Sequence, residues 1–149
     1  MKRILFICTG NTCRSPMAEA LLRERVGEDI EVKSAGLQAS SMSILSEGTR
    51  KVLEERGIFP KHTVQELTED LIDWADLMLT MTEAHKQSII VFYPEVKEKV
   101  FTLKEFTYGK EVDDRDVADP YGGTLEQYHQ VAHEIELCIE HLISKLKKD

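Results

Sequence analysis

The sequence predicts an α/β protein whose parallel sheet is covered by helices on both faces. Three observations predict it. Short uninterrupted apolar runs read as buried strands, segments of helical period alternate with them, and a polar loop rich in small residues joins the first strand to the first helix. Residues 3–7, with Ile4-Leu5-Phe6-Ile7, form the first strand. Ser15 is a suitable N-cap and Pro16 suits a first helical position, so a helix is expected over 16–27 with Met17, Ala20, Leu21 and Val26 on its apolar face. A second strand covers 31–35 and ends at Gly36. Small polar residues make 37–46 a loop, and helix signals resume near Ser46 and stop at Gly57. Thr68 starts a short helix, Leu77-Met78-Leu79 is a buried strand, and Thr82-Glu83-Ala84-His85 opens the next helix. Lys99–Leu103 is a fourth strand and 104–123 a long acidic loop, of the length that tends to carry function. From Thr124, Leu125, Tyr128, Val131, Ile135, Cys138, Leu142 and Leu146 recur every three to four residues, which predicts one long final helix.

No repeat, linker or low-complexity tract interrupts the chain, so a single domain over 1–149 is expected. A composition of 42% hydrophobic and 31% charged residues suits a soluble globular protein. No stretch approaches the ~20 apolar residues of a membrane span, and the opening residues lead straight into a strand, so neither membrane nor leader is expected. The net charge of −8 argues against nucleic acid as a partner. Three cysteines without framework spacing suit a reducing compartment, and the expectation is a cytoplasmic monomer.

Chemistry concentrates in Cys8-Thr9-Gly10-Asn11-Thr12-Cys13-Arg14-Ser15. Successive backbone N–H groups of residues 9–14 on a tight loop can surround a phosphate, and the helix that follows adds its own N-terminal donors. Arg14, six positions after Cys8, offers a planar fork that matches two phosphate oxygens. This positive field favours the thiolate, the nucleophilic form of Cys8. Gly10 and Asn11 tolerate left-handed backbone. No Gly-Lys-Ser/Thr closes the loop, so it is not a nucleotide-binding Walker loop. Cys13 is either loop packing or a resolving thiol able to form a reversible disulfide with Cys8. No His/Cys/Asp grouping has metal-ligand spacing, and neither metal nor cofactor is expected.

Together with Ser34-Ala35-Gly36 after the second strand and Asp119-Pro120-Tyr121 near the end, this loop resembles the low-molecular-weight protein tyrosine phosphatase family over essentially the full chain. The resemblance implies a three-layer α/β/α fold with a four-stranded parallel sheet. It also implies Cys8 as nucleophile, Arg14 as phosphate clamp and Asp119 as general acid and base. Thr9, Gly10, Asn11, Thr12, Cys13, Ser15 and Tyr121 are expected to bind substrate, Ser15 by donating its hydroxyl to the Cys8 sulfur, and His62 to hydrogen-bond Asn11. Pro120 restricts the backbone of Asp119 to extended conformations that can aim its carboxyl at the pocket. Asp113, Asp114 and Asp116 read as a solvated acidic face.

Two departures refine the resemblance. Thr12 stands where tyrosine-specific members commonly carry a branched aliphatic residue, and Tyr121 is followed by Gly122-Gly123 rather than a second tyrosine. Both features are similar to the protein arginine phosphatase branch. The expected activity is therefore hydrolysis of the N–P bond of phosphoarginine in phosphorylated protein substrates through a cysteinyl-phosphate, with phosphotyrosine as the alternative. Arsenate reductases share the fold but need a further cysteine pair, and Cys138, on an apolar stripe, is the only later cysteine. A phosphopeptide-binding module would lack the nucleophile or the acid.

Overall fold

The computed structural model describes residues 2–147. Four strands, β1 (Lys2–Cys8), β2 (Ile30–Gly36), β3 (Leu77–Thr80) and β4 (Val100–Thr102), form one sheet in the order β2-β1-β3-β4, every pairing parallel. The helices are α1 (Arg14–Arg25), α2 (Glu47–Glu54), α3 (Glu69–Trp74), α4 (Glu83–Phe92), α5 (Leu103–Tyr108) and α6 (Leu125–Lys147), with a 3₁₀ segment at Pro94–Lys99. This is the expected α/β/α arrangement.

β1 shows why its run is continuously apolar. Ile4, Phe6 and Cys8 face one core, while Leu5 and Ile7 face the other, so each residue is buried on one side or the other. The first core is closed by α1, α2, α5 and α6, through residues such as Met17, Leu53, Leu103 and Ile135. The second is closed by α3 and α4, through Leu71, Ile72 and Ile89. β1 lies centrally, with β2 on one side and β3 on the other. The connections leaving β1 and β3 therefore diverge, opening a crevice at their carboxyl ends. Gly36 pairs with Cys8 at that end. A Cβ there would stand 2.6 Å from Thr9 O and 2.9 Å from Asn11 N, so glycine lets β2 and the loop after β1 touch.

Three local expectations need correction. α1 begins at Arg14 with Cys13 as N-cap and no side-chain cap, so Ser15 and Pro16 are the second and third helical residues. The Ser15 hydroxyl is committed to Cys8 and Asn11 instead, and proline is tolerated because the first four N–H groups of a helix lack intrahelical partners. The expected loop 104–123 starts with α5, whose capping box joins Thr102 and Glu105. Extending β4 to Leu103 hid this Thr-x-x-Glu signature. The 3₁₀ segment, opened by Pro94, also lies ahead of a strand one residue shorter at each end than Lys99–Leu103.

Candidate active site

The loop after β1 is held from below by a chain of buried hydrogen bonds. Asn11, at φ 58° the one non-glycine residue of positive φ among the described residues, is fully buried. Its Oδ1 accepts from Gln65 N at 3.0 Å, which fixes the amide orientation. Its Nδ2 then donates to both Ser15 Oγ and Ser34 Oγ at 2.9 Å. Ser34 in turn donates to Glu19 Oε1 at 2.5 Å. Ser15 Oγ lies 2.8 Å from Cys8 Sγ. Ser15 Oγ receives the Asn11 amide, which leaves its own proton free to be donated to the Cys8 sulfur. His62 Nε2 is 2.8 Å from Asn11 O, the contact expected of it.

Arg14 is equally constrained. Its guanidinium is almost fully buried, Nη1 donates to Val117 O at 3.0 Å, and Nη2 lies 3.6 Å from Asp119 Oδ2. Val117 is itself pinned, donating to Met81 O at the end of β3 at 2.8 Å. One buried residue thus couples the guanidinium to the acid-bearing loop. Asp119 is half exposed, and its Oδ1 accepts from Tyr121 N at 3.1 Å. Pro120 is buried, consistent with its restraining role.

Cys8, Thr9, Gly10, Thr12, Cys13, Arg14, Asp119 and Tyr121 line one cleft of about 280 Å³. Asn11 and Ser15 do not line it; they lie beneath, within the network. The other acids of the loop are exposed, yet they do more than face solvent. Asp116 accepts from Glu83 N at 2.8 Å, binding the start of α4, and Asp114 accepts from Asp116 N at 3.0 Å.

Residues not anticipated from sequence complete the surroundings. Gln38 and Ser43 form part of the rim. Tyr128 places its hydroxyl 3.5 Å from Cys13 Sγ, and burial first, then this contact, pushes it up to about 12. His85, from the first turn of α4, places Nε2 at 2.9 Å from Thr9 Oγ1 across the β1/β3 crevice. Burial, then the Arg14 cation, pushes His85 down to about 4, so it is neutral at pH 7, and its Nδ1 is buried without a partner. Only Ser34, inside the Ser-Ala-Gly motif, carried a sequence signal; the others reach the site through tertiary packing.

A cysteine sulfur beside a serine hydroxyl, a buried guanidinium and a carboxyl lining the same cleft can take up a phosphoryl group on sulfur and assist its departure with protons. A protein-arginine-phosphatase of Geobacillus stearothermophilus is 47% identical, the match covering 99% of this chain and 97% of that one. The solved structure of YwlE arginine phosphatase from the same organism has a TM-score of 0.94 at 46% identity, covering 99% of this chain and 94% of its own. A second solved YwlE arginine phosphatase, with serine in place of cysteine and a phosphorylated active-site serine, has a TM-score of 0.92 at 43% identity, covering 99% and 97%. Residues 3–149 match the low molecular weight phosphotyrosine protein phosphatase family, and the chain belongs to that family.

Proposed function

We propose that the chain is a cysteine-dependent protein phosphatase that hydrolyses phosphoarginine in proteins. The observation that carries the choice of substrate is Thr12, a polar residue lining the same cleft as Cys8 and Asp119. Its methyl and hydroxyl crowd a phenol ring, while a guanidinium or an attacking water can hydrogen-bond the hydroxyl. The names of the most similar relatives, arginine phosphatases at 46–47% identity, support this reading. The relative with a phosphorylated active-site serine in place of cysteine supports Cys8 as nucleophile. We take the enzyme to be a single phosphatase domain that works as a cytoplasmic monomer on protein substrates; its three unpaired cysteines suit the reducing compartment.

In the first step Cys8 Sγ attacks phosphorus in line with the leaving nitrogen. The S–P bond forms, the N–P bond breaks, and Asp119 delivers a proton to the departing guanidine. Arg14 and the loop amides hold the equatorial oxygens, and because Arg14 is already anchored to Val117 O they need no rearrangement as charge moves. In the second step Asp119 takes a proton from water, which attacks phosphorus. The S–P bond breaks, and Ser15, held by Asn11, stabilises the thiolate as it leaves.

Phosphotyrosine is the second reading, favoured by Tyr121, 73% exposed at the cleft and able to stack on a phenol ring. Peptides of one sequence carrying phosphoarginine or phosphotyrosine at equal concentration decide between them. Phosphoarginine is expected to have the higher kcat/KM. Thr12→Ile should move the ratio towards phosphotyrosine by tenfold or more, since discrimination built on a hydrogen bond exceeds that of a methylene, about 10–200-fold. A wild-type preference for phosphotyrosine overturns the substrate assignment, and an unchanged ratio in the variant removes Thr12 from it.

A further inference from the structure

Beside the catalytic cleft lies a second groove of about 300 Å³, floored by Leu37, Leu67, Ile89 and Tyr93 and flanked by Phe92, which is 77% exposed. We propose that it is a substrate subsite, which accepts an apolar side chain of the target protein one to three residues from the phosphorylated one.

Two independent features join the groove to the cleft. Gln38 lines both. It and Leu37 are tied to the phosphate loop, Leu37 N donating to Cys8 O at 3.0 Å and Gln38 N to Thr9 O at 2.9 Å. On the opposite wall, α4 presents His85, Ile89 and Phe92 at i, i+4 and i+7, hence on one helical face. The first of these contacts Thr9, and the other two shape the groove. The same strand end and the same helix face therefore build the phosphate loop and the apolar groove in fixed relation. An extended segment that places a phosphorylated side chain on Cys8 rises about 3.3 Å per residue, so a neighbouring residue reaches across Gln38.

The chemistry of the occupant follows from the lining. Phe92, beside Leu37, Leu67 and Ile89, offers exposed apolar surface that gains by being covered. Glu66 stands at the edge and the chain carries a net charge of −8, so an acidic neighbour is disfavoured. An aliphatic or aromatic side chain fits both conditions.

This rests on the arginine-phosphatase reading only for the choice of phosphorylated residue. The test is a set of phosphoarginine peptides carrying leucine, serine or aspartate at each of the three positions on either side. Leucine at one or two of these positions should raise kcat/KM about tenfold over serine, mainly through KM, with aspartate lowest. Phe92→Ala, a change at an exposed helix end, should erase the leucine advantage and leave hydrolysis of free phosphoarginine unchanged. Equal rates for the three residues at every position overturn the proposal, as does a leucine advantage that survives in Phe92→Ala. If p-nitrophenyl phosphate is cleaved but phosphoarginine is not, the arginine reading fails alone, and the same set carrying phosphotyrosine applies the same criteria to the groove.

Discussion

Beneath Cys8 the polar side chains that brace the phosphate loop are buried and bonded to one another, whereas on the Asp119 side they are exposed and lightly tethered. Asn11 and Ser15 are fully buried and Ser34 is 1% exposed, within a network running from Cys8 to Glu19. Across the cleft, Asp119 keeps half its side chain in solvent, and its Oδ1 is held by a single backbone donor two residues away. The two chemical duties explain the contrast. Stabilising phosphoryl oxygens depends on donors already in place. In the proposed mechanism the acid serves two steps and leaves room for a protein segment to enter and depart. Val117 marks the border, bonded through its N–H to Met81 O and through its carbonyl to Arg14.

The comparison breaks most severely at its rigid centre. Cys8→Ser should lower turnover by roughly four orders of magnitude or more while the fold persists, because the hydroxyl offers no accessible anion at neutral pH. Arg14→Lys should cost about 10²–10³-fold, since a point charge cannot replace the two-pronged guanidinium, and it also loses the anchor to Val117. Release of inorganic phosphate, with circular dichroism as the check on folding, measures both. Wild-type activity remaining in Cys8→Ala, which has no nucleophile at all, would exclude the cysteinyl-phosphate route.

Asn11→Ala tests whether the network is structural as well as catalytic. It leaves Ser15, Ser34 and Gln65 N short of a partner and puts alanine at positive φ, so a loss of about 3 kcal/mol in urea unfolding is expected. Asp119→Asn sharpens the other half. Hydrolysis of phosphoarginine peptides should fall about 100-fold, the usual scale of acid–base help. The loss should be smaller for an activated aryl phosphate, and the unfolding midpoint should stay within experimental error because the residue is exposed. Equal losses on good and poor leaving groups would show that Asp119 is not the proton donor.

The same contrast explains what could be read from sequence. Local chemistry was legible: the apolar run of β1, the loop with Cys8 and Arg14, the Ser-Ala-Gly motif that braces this loop from beneath, and the Asp-Pro-Tyr motif at the cleft. Competition between partners was not. Ser15 reads as a helix cap, but the sulfur and Asn11 claim its hydroxyl, and α1 starts two residues earlier than expected, uncapped by any side chain. Thr102 and Glu105 form a capping box that carries helix into a stretch whose acidic composition reads as loop. His85 reads as an ordinary first-turn residue; only the packing of α4 beside β1 brings it to Thr9.

His85 supplies the smallest and most specific test, because it belongs to the rigid side yet has one buried nitrogen without a partner. Its folded value, about 4, lies below the ordinary 6.5, with burial the main cause and Arg14 the second. Between those two values the unfolded chain binds a proton that the folded chain refuses. Stability from this group is therefore complete above about pH 6.5, falls as pH drops through the window, and falls no further below about 4. At 1.36 kcal/mol per pKa unit, wild type should lose roughly 2 kcal/mol between pH 7 and pH 4.5 through this residue. His85→Gln can still reach Thr9 with its amide but cannot titrate. The other histidines are common to both proteins, so the difference between their stability-versus-pH curves isolates His85. Urea unfolding at half-unit pH steps should show the variant's curve flatter than wild type between pH 6.5 and 4.5, with the two running parallel above pH 7. Parallel curves throughout would mean that His85 accepts its proton in the folded state, and that this wall of the phosphate loop is as open to water as the Asp119 side.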